Sequence, residues 1–219
     1  MSDTKIEHHL TPELLMAYSA GTLPEAFGLV VATHVSMCDS CRAELDSFDA
    51  VGGCMMEEAG FVEMSKDSLA ATIAMISASD TSEKRTAFAP AVPGVLPAPL
   101  KDYVGGDLEA IKWRSIGMGV KQAILPTGSD ATARLLYIPA GAAVPDHGHR
   151  GTELTLVLQG AFEDEQDRFA RGDVEVANED LNHTPIADIG EDCICLAATD
   201  APLVFNSLIP RLAQRFLRI

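Results

Sequence analysis

The spacing of apolar positions changes near the middle of the chain. In the first 80 residues they recur every three or four positions, which predicts short amphipathic helices. Thr11, Pro12 and Glu13 form a typical helix start, with an N-cap, a proline in the first turn and an acid near the positive helix end. We predict four helices, which run from Thr11 to Gly21, from Pro24 to the region of Cys38, from Asp39 to the Gly52-Gly53 pair, and from Asp67 to Ile76.

Beyond residue 100 the apolar positions alternate or form short runs. Gly, Pro and Asp separate these runs, a pattern that predicts the strands of a β-sandwich or barrel. The predicted strand segments are Trp113 to Leu125, Ala133 to Ile138, Leu154 to Leu158, Val174 to Val176 and Cys193 to Ala197. A final apolar stripe predicts a short helix over residues 208–219.

A proline-rich segment separates the two patterns. Residues 87–100 contain Pro90, Pro93, Pro97 and Pro99, a density that excludes helix interiors and favours an extended linker. We therefore predict an α+β protein in two domains. The helical domain spans 1–87, the linker 88–100 and the all-β domain 101–219.

A metal-ligand motif lies between the second and third predicted helices. His34, Cys38 and Cys41 have the spacing H-x3-C-x2-C, and helical geometry places the first two on one face. Structural zinc takes four tetrahedral Cys or His ligands, so this motif predicts a zinc site that needs one more ligand. His8 and His9 are both candidates, and His9 is preferred because it adjoins the first helix. A redox pair or two buried thiols are the alternatives for the cysteines.

A second ligand set lies in the β-rich half. His147 and His149 are two positions apart on a predicted strand and so face one side, while Glu153 and His183 follow at or near later strands. Three imidazoles and a carboxylate suit Zn, Fe, Mn, Ni or Cu, so these residues predict a metal site without fixing the metal. The alternative is that each histidine is a hydrogen-bonded core residue.

Two further cysteines share one face of a strand. Cys193 and Cys195 are alternate residues, which makes them a possible redox pair or, equally, small core residues. The chain has five cysteines, an odd number that argues against a disulfide framework.

The charge balance excludes one class of partner. The chain has 32 acidic and 16 basic residues, a net charge of −16, whereas binding to a phosphate backbone needs clustered Lys and Arg. We expect no direct nucleic-acid binding and a partner with a basic surface. No apolar run reaches the roughly 18 residues of a membrane span, and no signal-peptide pattern opens the chain, so we expect a cytoplasmic protein without membrane contact.

Both ligand motifs resemble those of known families. The H-x3-C-x2-C motif, with an upstream histidine that maps onto His9, is similar to the zinc-binding anti-sigma family. Gly141 to Gly160 resembles the first cupin motif, G-x5-H-x-H-x3-E-x6-G, at every position. The second cupin motif is kept at Gly172 and His183 and departs from the pattern at Asn178, Asp180 and Ala187. The pairing of the two domains resembles ChrR-type anti-sigma factors over nearly the whole chain.

The resemblance implies a regulator and not an enzyme. It implies a small zinc-bound helical bundle that binds a group IV (ECF) sigma factor as a 1:1 heterodimer and keeps it from core RNA polymerase. It also implies a cupin jelly-roll barrel that responds to singlet oxygen or related oxidants. The implied ligands are His9, His34, Cys38 and Cys41 for a structural zinc, and His147, His149, Glu153 and His183 for the cupin metal. We expect Leu69 and Ile73, on the fourth helix, to contact the sigma factor.

An enzyme is the main alternative. A cupin with three histidines and one glutamate could hold Fe(II) and act as a dioxygenase, or isomerise a small substrate. The N-terminal zinc module would have no role in such an enzyme. A zinc store or zinc sensor explains the domain pairing less well.

Overall fold

The four predicted helices are present in the computed structural model, which describes residues 5–79 and 94–205. They are α1 (Pro12–Ser19), α2 (Glu25–Val35), α3 (Asp39–Glu58) and α4 (Ser68–Ala78). A fifth helix, α5 (Ala98–Val104), begins directly after Pro97, inside the predicted linker, and a short 3-10 turn follows at Leu108–Ala110. Residues 88–93 of the predicted linker and the helix predicted over 208–219 lie outside the described residues.

The predicted end of the third helix at the glycine pair is wrong. α3 continues through Gly52 and Gly53 to Glu58, and neither glycine adopts the positive φ that ends a helix. A glycine inside a helix costs only about 1 kcal/mol relative to alanine, and no proline follows to stop the turn. Gly21 differs, because its φ of 65° does turn the chain after α1.

The β-rich half is built on a six-stranded antiparallel sheet, in the order β1-β2-β3-β11-β5-β8. Two three-stranded sheets, β10-β6-β7 and β12-β4-β9, complete this part of the described chain. The strands are β1 (Arg114–Gly117), β2 (Val120–Ile124), β3 (Thr132–Ile138), β4 (His147–Gly148), β5 (Glu153–Gln159), β6 (Ala161–Glu163), β7 (Arg168–Ala170), β8 (Val174–Ala177), β9 (Asn182–His183), β10 (Ile186–Ala187), β11 (Cys193–Thr199) and β12 (Val204–Phe205). The α+β arrangement predicted from the sequence is therefore confirmed.

One predicted strand is in fact a hairpin. The segment from Trp113 to Leu125 folds into β1 and β2, and the turn between them passes through Gly117, Met118 and Gly119, all with positive φ. Glycine adopts this conformation without strain, which allows the tight reversal.

The six-stranded sheet separates two apolar cores. Its outer face packs against α2, which also contacts α5, so that Val30 and Val31 of α2 join Leu154 and Leu196 in one cluster. Its inner face, with Cys195 among its residues, faces a second cluster inside the barrel. Because both faces of β11 are covered, all seven of its residues are buried. The helices and the sheet thus share a single core on one side of this strand.

Candidate metal centres

Four side chains of the helical region converge on one point, namely His9, His34, Cys38 and Cys41. His9 Nδ1 lies 3.3 Å from Cys38 Sγ and 3.6 Å from Cys41 Sγ. His34 Nε2 lies 3.2 Å from Cys41 Sγ. In a tetrahedral site with Zn–S of about 2.3 Å and Zn–N of about 2.0–2.1 Å, neighbouring N and S ligands are roughly 3.5 Å apart. The cluster is therefore able to bind a metal ion at nearly its present spacing.

The ends of two helices bring these ligands together. His34 lies in the last turn of α2, and Cys38 is the N-cap of α3, where its Sγ accepts a hydrogen bond from the Cys41 N–H. Cys41 lies in the first turn of α3, so two thiols and one imidazole meet at the junction of the helices. His9 joins them from the extended segment before α1.

The neighbouring histidine, His8, lies elsewhere. Its Nε2 is 3.2 Å from Asp167 Oδ2, and its ring packs on Phe169 with the ring centroids 4.4 Å apart. Of the two upstream histidines that the sequence leaves open, the structure places His9 with the other three residues.

Burial favours the uncharged forms of His34 and Cys41. Desolvation lowers the pKa of His34 to about 4, and its Nδ1–H donates to the Gly172 carbonyl at 2.9 Å. The Nε2 lone pair is therefore free to face the thiols. Burial raises the pKa of Cys41 to about 11, so this thiol holds its proton until a cation replaces it.

The segment that carries His9 is fixed to the β-rich half. Asp173 accepts hydrogen bonds at Oδ1 from the Glu7 N–H (2.7 Å) and the His8 N–H (3.0 Å). The Val174 N–H donates to the His8 carbonyl at 3.2 Å. Asp173 itself is 3% exposed, and its bonds to Glu7 and His8 are partly buried. The position of the first cluster therefore depends on the turn that opens β8.

A second cluster consists of three buried imidazoles. His147 and His183 face each other across the β4–β9 pair, and their Nε2 atoms are 3.2 Å apart. His149 Nε2 lies 3.4 Å from His183 Nε2. A tetrahedral site with metal–N bonds of about 2.0–2.1 Å has ligand nitrogens roughly 3.3 Å apart, so the three rings have the spacing of metal ligands.

Each imidazole is oriented through its other nitrogen. His147 Nδ1–H donates to the Pro145 carbonyl at 2.9 Å, and His149 Nδ1 lies 3.1 Å from Glu153 Oε2. His183 Nδ1 lies 2.8 Å from Asp164 Oδ2. Partners of this kind fix the ring orientation and leave Nε2 to the ligand position.

Glu153 does not join the three converging nitrogens. Its carboxylate lies behind His149, and burial opposes its charge, but the nearby imidazoles and Arg134 together lower its pKa. It is thus an anion beside the cluster, and its role as a fourth ligand stays a prediction.

Two acids that our sequence analysis missed lie beside His183. Asp164 and Glu175 both contact its Nδ1, with Glu175 Oε1 at 3.0 Å. Burial alone would lower the pKa of His183, but these two carboxylates outweigh it and raise the pKa to about 9. The one clue in the sequence was Glu175 itself, an acid at the centre of the predicted strand Val174 to Val176.

The cysteine pair of β11 lines the barrel interior. Cys193 and Cys195 are buried, and their sulfurs lie 3.5 Å apart. Cys195 also borders a cavity of about 300 Å³ together with His147, Glu153 and His183. Hydrogen bonding to Cys193 and burial raise the pKa of Cys195, so the thiol is protonated. The redox role of the pair stays a prediction.

A large apolar surface covers the end of α3, the segment that follows it, and α4. No residue of α4 is buried, and Leu69 and Ile73 are 72% and 53% exposed. We call this the apolar helical surface, and it comprises Val51, Met55, Met56, Phe61, Val62, Met64, Leu69, Ile73, Met75 and Ile76. Among the described helices, none combines the length and the apolar character that a membrane crossing requires.

The chain is similar to known proteins over nearly its whole length. Residues 102–201 match the family described as the ChrR cupin-like domain. The anti-sigma-E factor ChrR of Cereibacter sphaeroides is 60% identical over 214 residues, which cover 98% of this chain and 99% of that protein. A chain in the crystal structure of Rhodobacter sphaeroides SigE in complex with the anti-sigma ChrR is 58% identical, with a TM-score of 0.78, over 90% of this chain and 100% of that chain. The cupin-like fold expected of the β-rich half is confirmed by these matches.

Proposed function

The chain belongs to the family of the anti-sigma factor ChrR, and from this premise we propose that it binds and inhibits a group IV (ECF) sigma factor. The helical region would hold the sigma factor in a 1:1 complex and keep it from core RNA polymerase. The observation that carries the proposal is 60% identity over 98% of the chain to a protein named for this activity. The similar solved structure is itself a complex of a sigma factor with an anti-sigma factor.

The apolar helical surface is the binding surface in this proposal. So many exposed large apolar side chains within one stretch of the chain are rare on a protein that works alone and are typical of a contact with another protein. Leu69 and Ile73 lie within it on α4, which has no buried residue of its own. The net charge of −16 suits a partner with a basic surface.

We infer that zinc occupies the cluster of His9, His34, Cys38 and Cys41. Two thiols and two imidazoles at tetrahedral spacing form a ligand set that zinc prefers, and four protein ligands leave no open position for a substrate. Such a site is structural, and metal binding of about 10–16 kcal/mol can decide whether small metallo-domains fold.

The response to singlet oxygen or related oxidants is assigned in this proposal to the cupin-like half. Its metal site would be formed by His147, His149 and His183, with Glu153 as the predicted fourth ligand. The thiols of Cys193 and Cys195 are oxidisable groups beside this site. They lie on the inner face of β11, whose outer face packs on α2. A displacement of β11 would therefore disturb the packing of α2.

The proposal is tested by capture of the full-length chain on a tagged ECF sigma factor from the same genome. We expect a 1:1 complex for the native sequence. Leu69→Glu combined with Ile73→Glu should abolish capture, because a charge cannot enter an apolar interface without a partner. Ile189→Glu is the matched control, since Ile189 is 91% exposed but lies in the β-rich half. If the native chain captured no sigma factor, the proposed function would be refuted. If the double variant still captured it, the apolar helical surface would not be the binding surface.

A metal-dependent cupin enzyme is the second candidate function. The cavity beside His147 and His183 is the specific observation that favours it, since catalysis needs a pocket next to the metal. Metal-dependent oxygen consumption or turnover of a small substrate by the full-length chain would support it. If the His147→Ala variant consumed oxygen at the same rate, the activity would not belong to this site.

A further inference from the structure

The cavity inside the barrel has the size and the walls of a small-molecule site. Its volume of about 300 Å³ lies at the lower end of the range for such sites. Its lining is mostly apolar, with side chains from the six-stranded sheet and from the shorter strands around it. The apolar wall includes Ile116, Val120, Leu136, Ile138, Val144 and Phe162.

An arginine, Arg134, lines this mostly apolar cavity. Arg134 lies in β3 and is 6% exposed. Its Nε has no hydrogen-bond partner among the described residues, and its Nη1 donates one long bond of 3.4 Å to Gln122 Oε1. Within the described part of the chain, no carboxylate lies at ion-pair distance from its guanidinium. A guanidinium remains protonated in proteins, so a positive charge is buried here without a direct counterion.

The register of the sheet explains why Arg134 faces the cavity. Arg134 is opposite Ala197 of β11, and Ala197 is opposite Thr155 of β5. This row lies on the inner face of the sheet, two residues along β11 from Cys195 and two residues along β5 from Glu153. The guanidinium of Arg134 thus lies on the same cavity wall as Cys195 and Glu153.

We propose that this cavity binds a small, mainly apolar carboxylic acid, with its carboxylate held by Arg134 and its hydrocarbon part against the apolar wall. This site is independent of sigma-factor binding and goes beyond the function proposed above. A carboxylate matches the planar guanidinium and supplies the acceptors that Nε lacks. A phosphate is disfavoured because its double charge would lie beside the buried acids Glu153 and Glu175, which line the same cavity. A neutral ligand would leave the arginine unpaired.

The test is a titration of the purified full-length protein, with its metal content measured, using octanoate as the probe. Isothermal titration calorimetry should show saturable 1:1 binding of octanoate. Binding of 1-octanol, which has the same chain without the charge, should be at least about tenfold weaker, because it cannot pair with the guanidinium. The comparison of these two probes needs no variant and so does not depend on the folding of a mutant.

Two variants then locate the site. Arg134→Met should weaken octanoate binding by about tenfold or more. Arg134→Lys should retain part of the affinity, because the lysine ammonium still supplies a positive point charge. Arg114→Met is the matched control, because Arg114 is exposed on β1, which β2 separates from β3, and should leave binding unchanged. Equal binding of octanoate and octanol, absence of octanoate binding, or unchanged binding by Arg134→Met would each overturn the proposal. If Arg134→Met lost metal while the native protein bound no octanoate, Arg134 would serve only to position Glu153.

Discussion

His34 Nδ1–H donates a hydrogen bond to the carbonyl oxygen of Gly172 across 2.9 Å. This bond joins a residue of the N-terminal Cys/His cluster to the turn that opens β8. Three positions after Gly172, Glu175 of β8 contacts His183 of the second cluster. Both ligand clusters therefore contact the same short segment of the chain, the first at the Gly172 carbonyl and the second at the Glu175 side chain, and a shift of this segment would displace residues of both.

Asp173, next to Gly172, is expected to stabilise this junction. Asp173→Ala removes the acceptor of three partly buried backbone N–H groups, those of Glu7 and His8 at Oδ1 and that of Ala170 at Oδ2. Each unsatisfied buried group costs about 1–3 kcal/mol. We expect the free energy of unfolding to fall by about 2–4 kcal/mol and the release of metal to a chelator to become faster, since His9 directly follows this segment.

The control for this prediction is Asp180→Ala. Asp180 is exposed in the loop after β8, so its replacement should leave both unfolding and metal release unchanged. If Asp173→Ala unfolds like the native chain in denaturant, the acid does not hold the junction.

The choice between the two upstream histidines can be tested by metal analysis. His9→Ala should lose about one metal ion per chain, because three ligands hold structural zinc weakly. His8→Ala should keep it, because His8 contacts Asp167 and Phe169 instead. Loss of the metal from His8→Ala, with retention in His9→Ala, would reverse the assignment.

A substitution in β11 tests whether the helices and the sheet unfold together. Leu196 is fully buried in the core that both share, so Leu196→Ala should lower the free energy of unfolding by about 2–5 kcal/mol. Circular dichroism of the helices and fluorescence of Trp113 in the β-rich half should then shift to the same extent. Val176→Ala on β8 is the control: this side chain is 37% exposed, so both unfolding transitions should shift less than in Leu196→Ala. Separate transitions for the two probes would show that each half unfolds alone.

The convergence of the first cluster depends mostly on local spacing. His34, Cys38 and Cys41 lie within eight residues, at the end of α2 and the start of α3, so their short spacing along the chain keeps them close. His147 and His149 could be found in the same way from the period of two. In both cases the ligand spacing within a short segment carries most of the information.

The remaining features depend on contacts between distant segments. Arg134 faces the cavity because of the register of β3 against β11, and Asp164 meets His183 from 19 residues away. Asp173 contacts Glu7 across 166 residues. No local period encodes such pairings. The wrong prediction for the end of α3 has a different, local reason: the residues after Gly52 contain no stop signal.

The separation of inhibition from response is tested in the second cluster. We expect the double variant His147→Ala and His183→Ala to inhibit the sigma factor as the native chain does, because the apolar helical surface is untouched. Induction by singlet oxygen should be lost, since the cluster loses two of its three converging imidazoles. A sigma-dependent reporter, read with and without an illuminated photosensitiser, measures both properties in one strain. Arg150→Ala, an exposed position beside His149, should behave as the native chain. Loss of inhibition in the dark by the double variant would mean that the cupin-like half supports sigma binding itself, whereas normal induction would move the response away from this cluster.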